Sequence, residues 1–130
     1  MSMRRLSGTV LSVLLLLCLL AAPLSAFAAS ASDYIGTWEL DSVIYDGYSV
    51  PARVLDPFRI TMIINSDNTG HLTQINEEGD TEEVDVTWYI QTGYLFLEDE
   101  EGNTSLTYID GKIYWNVENL TYVFARARRY

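Results

Sequence analysis

Between residues 35 and 127, apolar side chains return at every second position, and short clusters of Gly, Asn and Asp interrupt them. Period two sends alternate side chains to opposite faces, so each run reads as a strand with one buried face. Trp38, Leu40, Ser42 and Ile44 share one parity, against Glu39, Asp41 and Tyr45. Phe58, Ile60, Met62 and Ile64 alternate with Arg59, Thr61 and Asn65, and Val84, Val86, Trp88 and Ile90 with Asp85, Thr87 and Gln91. Leu95 and Leu97, Leu106 and Tyr108, then Ile113, Trp115 and Val117, and last Tyr122 and Phe124 continue the pattern. The run 71–76 does not show which side faces in.

Eight strands follow, near 35–46, 58–65, 70–76, 82–91, 94–99, 104–109, 112–117 and 120–127. The breaks between them are hairpin-sized, and Asp110-Gly111 is the strongest signal, because Gly supplies a positive φ and Asp tolerates one. The exception is 47–57, which holds Pro51 and Pro57 and is expected to form a helical turn near 51–55. The other connections are too short for anything but antiparallel neighbours. An eight-stranded meander with one apolar face can close into a barrel or flatten into a sandwich. Closure also removes exposed edges. The expected fold is therefore all-β: an eight-stranded antiparallel up-and-down barrel.

Ahead of this region lie Arg4 and Arg5, a 13-residue apolar stretch at 10–22, and Ala26-Phe27-Ala28. A basic start, a short apolar core and an A-x-A site form the pattern of a secretory signal peptide. The apolar core is shorter than the roughly 20 residues a membrane span needs. The reading is a signal peptide over 1–28, a domain over 29–130, no membrane span after cleavage, and a secreted or periplasmic, cell-envelope location. Cys18 falls inside the leader, so the mature chain has no cysteine and no disulfide can staple it. All 18 acidic residues but only six of the eight basic ones lie beyond residue 28, a formal charge of −12. So acidic a domain is a poor partner for nucleic acid or an anionic membrane.

The opening "GTW" at Gly36-Thr37-Trp38, the hairpin "NSDNTGHLT", the "DG" turn and the closing "YVFAR" together resemble the small bacterial lipocalin-like domains, over nearly all of 34–126. The resemblance implies that Trp38 plugs one end of the barrel and that a basic residue of the last strand packs across it. Arg126 is the best match for that residue, with Arg128 as a rival. Gly36 would let the chain pass close at that corner. The resemblance also implies a binding protein whose 47–57 connection, with Tyr48, Val54 and Leu55, lies at the open end as a lid.

Catalysis finds little support, and the reading is of a protein that is not an enzyme and needs no cofactor. His71 is the only histidine, and no Ser sits in a G-x-S-x-G elbow. The acids crowd into turns, where solvation explains them better than a carboxylate pair. Asp67-Asn68 and Asp99-Glu100-Glu101 gather oxygens that calcium could use, but without EF-hand spacing, so no metal site is assigned. Asn103-Thr-Ser and Asn119-Leu-Thr match the glycosylation sequon, a short and common motif.

Two binding readings stand. In the first, Ser42, Phe58, Met62, Trp88, Tyr108, Trp115, Tyr122 and Phe124 face inward and line a pocket for a small apolar ligand. The same side chains could simply fill the interior, since an eight-stranded barrel is just wide enough for either. In the second, a protein-interaction or inhibitor module with a filled core acts on an extracytoplasmic protein through its loops and outer face; in either reading the protein is a monomer. Val43, Tyr45, Ile63, Tyr89, Tyr94, Phe96 and Tyr114 fall on the outward parity.

Overall fold

The structure, a computed structural model, describes residues 29–128. The leader read from the sequence and the final residues 129–130 lie outside the described residues. No helix among the described residues is long and apolar enough to cross a membrane.

A four-residue helix, α1 (Ala31–Tyr34), leads into β1 (Gly36–Tyr45). After β2 (Tyr48–Pro51) and a 3-10 turn (Ala52–Leu55) come β3 (Arg59–Ile64), β4 (Thr69–Ile75) and β5 (Thr81–Gln91). The chain ends with β6 (Tyr94–Asp99), β7 (Gly102–Ile109), β8 (Lys112–Val117) and β9 (Leu120–Arg126). From β3 to β9 each strand pairs antiparallel with the next, and β1 pairs with β3 on one side and β9 on the other. The result is an eight-stranded meander closed into a barrel by the β1–β9 pairing, not flattened into a sandwich.

β2 is a ninth strand that the sequence reading leaves inside the 47–57 connection. It folds back on the second half of β1, from Ser42↔Pro51 to Tyr45↔Tyr48. Its turn is Asp46-Gly47, with φ of 50° and 81°, matching Asp110-Gly111 at 50° and 84°. Positive φ at both central residues is what a two-residue type I′ hairpin needs. The helical turn expected near 51–55 is the 3-10 turn.

A second difference lies in β1. The register against β9 slips between Leu40↔Phe124 and Ser42↔Val123, a β-bulge. A bulge inserts one residue and reverses which parity faces in. Trp38 and Leu40 point inward as expected, but beyond the bulge Val43 joins the core and pairs with Tyr122. Ser42 and Ile44, read as inward, therefore face out, and Val43, read as outward, faces in.

The inward side chains fill the barrel unevenly. Around Trp38 they are wholly buried: Tyr34, Met62, Leu95, Leu106, Ile113 and Phe124. Toward the other end Leu72, Trp115 and Tyr122 are half-buried, and Val84 is 41% exposed although it sits directly across from Leu72.

Candidate ligand cavity

At one end of the barrel Gly36, Trp38 and Arg126 pack together. Trp38 is 0% exposed, and its Nε1 donates to the Tyr34 carbonyl at 2.8 Å. The Arg126 guanidinium lies 4.4 Å from the Trp38 ring centroid, and its Nη1 and Nη2 donate to the carbonyls of Ile35 and Asp33 at 2.9 and 2.8 Å. One cation thus covers the indole and ties α1 to the last strand. Gly36 stands at φ +142°, and a Cβ there would lie 2.6 Å from Arg126 Nη1. Only glycine leaves room for that guanidinium. Tyr108 packs edge-on to both Tyr34 and Trp38, with centroids 5.9 and 6.4 Å away, so it belongs to the plug.

The opposite end holds a cavity of about 340 Å³. Its apolar wall is Ile60, Leu72, Val84, Val86, Leu97 and Trp115. Register explains the set: Met62↔Leu72, Leu72↔Val84, Gly70↔Val86 and Leu97↔Thr104 place these side chains on one inward face. Gln74 and Glu82 face each other in the same layer, nearer the mouth. Trp115 is fixed by its Nε1, which donates to Thr104 Oγ1 at 2.9 Å.

The cavity exists because two ladders stop early. β5 pairs with β6 only from Thr87↔Glu98 to Gln91↔Tyr94, so 81–86 of β5 pair with β4 alone. β7 pairs with β8 only from Thr107↔Tyr114 to Ile109↔Lys112. The β6–β7 tip therefore stands away from β5. Val86, Glu98 and Asp99 line both the interior cavity and a shallow groove on the outer surface, so the gap forms a portal through the wall. Glu82 and Glu101 complete its acidic lining, while no Lys, Arg or His lines the cavity.

Of the eight ligand candidates read from the sequence, Trp115 lines this cavity. Phe58 and Tyr122 lie beside it in an aromatic chain: Tyr122 is 5.8 Å from Trp115, and Phe58 is 6.2 Å from Tyr122. Burial raises the Tyr122 hydroxyl above the ordinary tyrosine range, so it stays a neutral phenol. Met62 and Phe124 sit in the packed half, and Tyr108 in the plug. Trp88 is buried in the wall, its Nε1 turned to the carbonyls of Asn65 and Thr69 at 2.8 and 3.1 Å. Ser42 faces out beyond the bulge. Among the lid residues, Leu55 packs on the core, whereas Tyr48 and Val54 are 73% and 65% exposed.

The polar clusters read from the sequence do local work. Asp67 accepts from the Thr69 hydroxyl and backbone N–H, which holds its carboxyl below the usual range. Asp99 Oδ1 accepts from the N–H groups of Glu101 and Gly102 at 2.8 and 3.1 Å, capping the β6–β7 turn. His71, on the outer face of β4, lies between Asp85 and Glu83 at 2.7 and 2.8 Å, and hydrogen bonds to those two carboxylates raise its pKa. Among the described residues no group of three His, Cys, Asp or Glu is arranged to hold a metal ion.

No protein-family model matches the sequence, and no curated protein matches it significantly. Among solved structures, a lipocalin-like protein from Bacteroides uniformis is similar at 14% identity and TM-score 0.54, over 73% of this chain and 99% of that one. The fold is lipocalin-like. An uncharacterized protein from Bacteroides eggerthii is also similar at 14% identity, over 72% of this chain and 99% of that one, with TM-score 0.48. The lipocalin-like barrel of this chain is thus plugged at one end by Trp38 and open at the other beside Trp115.

Proposed function

We propose that this protein is an exported, noncatalytic, monomeric binding protein that holds a small molecule with an apolar body in the open half of its barrel. The observation that carries the reading is the cavity itself. At about 340 Å³ it falls within the roughly 300–1,000 Å³ of ligand pockets. Its apolar wall carries Gln74 and Thr104 and meets four carboxylates, and an apolar wall with polar groups to orient the ligand is common in such sites. Val84 supports the reading too: an inward apolar residue left half in water gains burial when a ligand covers it. The leader motif at 1–28 supports export.

The alternative, a protein partner on the outer face, has less behind it. Val43 lies in the core instead, and Tyr89 and Phe96 stack on each other at 5.1 Å.

Titration with the neutral apolar dye N-phenyl-1-naphthylamine tests the proposal. A saturable one-to-one fluorescence rise is expected, lost in Val84→Trp, which fills the cavity at a half-exposed position. A weak linear response that is identical in wild type and variant would overturn it.

A further inference from the structure

We propose that the ligand is an organic cation, with its apolar body against Leu72 and Trp115 and a protonated or quaternary amine at the portal. This rests on the small-molecule reading and names the ligand class. Acidic turns alone would be ordinary solvated surface. Here the acids share the wall of an apolar cavity: Glu82, Glu98, Asp99 and Glu101 line it, and no basic side chain does. A concave site lined by one sign of charge focuses its field on whatever enters.

No basic side chain lines the cavity, and His71, in the adjoining outer groove, is held by Asp85 and Glu83. Among the described residues, none of the four forms an ion pair. Three cations are engaged elsewhere: Arg126 on Trp38, Lys112 with Asp41 at 3.2 Å, and Arg59 near Asp56 at 3.9 Å. Four carboxylates give the opening one sign of charge, which a cation complements. A compact metal ion requires oxygens that converge on one point, and these carboxylates are spread along the portal. An ammonium group with an organic body matches both the dispersed charge and the apolar wall. The indole of Trp115 adds attraction for any cation lying over its face.

Three compounds with one apolar body and different charge test the inference: phenylbutylamine, phenylbutanol and phenylbutyrate, followed by calorimetry at neutral pH and low salt. The amine should bind about tenfold more tightly than the alcohol, the sum of several partly exposed ion pairs, and the carboxylate most weakly. High salt should shrink the difference. The double variant Glu82→Gln, Glu101→Gln should weaken the amine about fivefold and leave the alcohol unchanged. Asp110→Asn, a charge removed at the far end of the barrel, should change neither. Equal binding of amine and alcohol, or an amine preference unmoved by the double variant, would overturn the cation assignment while leaving the small-molecule reading in place. Absence of saturable binding by all three would overturn both.

Discussion

Val86 and Val84 point to the same side of β5, yet Val86 is buried and Val84 is 41% exposed. The step between them marks the boundary between two halves of one barrel. Below it, Trp38, Tyr34 and Arg126 close the end, and every inward side chain around them is packed. Above it, β5 and β6 part company at Thr87↔Glu98, and the same alternation lines a cavity. Apolar residues alternate through both halves, and Gln74 and Glu82 take inward places only near the mouth. What differs is how far the ladders run, so stability concentrates at one end and room for a ligand at the other.

Substitutions that damage the packed end should dominate the stability of the domain. Trp38→Ala removes the plug and leaves the Arg126 guanidinium without its ring, a loss of about 3–5 kcal/mol. Thermal unfolding by circular dichroism should show a largely unfolded protein, and a melting point close to wild type would break the distinction between the halves. A matched pair sharpens it further. Leu106→Ala, in the packed half, should cost about 2–5 kcal/mol, and Leu72→Ala, already beside a cavity, about 1 kcal/mol. Equal costs in urea titration would mean that the upper half is as tightly packed as the lower.

Gly36 and Arg126 make one contact, and their energies should show it. Gly36→Ala should cost about 1–3 kcal/mol from its backbone conformation and the clash with the guanidinium. Arg126→Ala should cost about 1–2 kcal/mol through the lost ring and carbonyl contacts. The double variant should fall short of the sum, because alanine at 36 no longer meets an arginine; strict additivity would show that the two do not touch.

How much of this was legible in the chain depended on what each feature leaves behind. The plug left motifs, because Gly36-Thr37-Trp38 and the closing YVFAR belong to the resemblance that implies it. The bulge left none: Val43 and Ile44 are both apolar, so either parity satisfies the pattern, and only pairing with β9 decides between them. β2 had a visible signal in Asp46-Gly47, the same dipeptide that marks the hairpin at 110–111. The prolines that follow it drew the segment into a single connection. The cavity was hidden for a different reason. Alternation says which face a residue takes, and no residue type announces where β5 stops pairing with β6. The inward residues Gln74 and Glu82 were also invisible to a search for apolar periodicity.

The smallest expected effect lies on the outer wall. The raised pKa of His71 means that the folded chain favours its protonated form. The stabilisation it supplies is complete below the ordinary value of about 6.5 and fades as pH rises through the higher folded value. His71→Gln should therefore lower the melting point slightly in mildly acidic buffer and leave it unchanged in alkaline buffer. The opposite pH order would show that the neutral imidazole is the favoured form.

The division into a packed and an open half is tested most directly by the three indole N–H signals in a proton–nitrogen correlation spectrum during titration with phenylbutylamine. Trp115 should shift progressively to saturation, Trp88 less, and Trp38 not at all. A Trp38 signal that moves as far as that of Trp115, or a Trp115 signal that stays fixed while the compound binds, would contradict it.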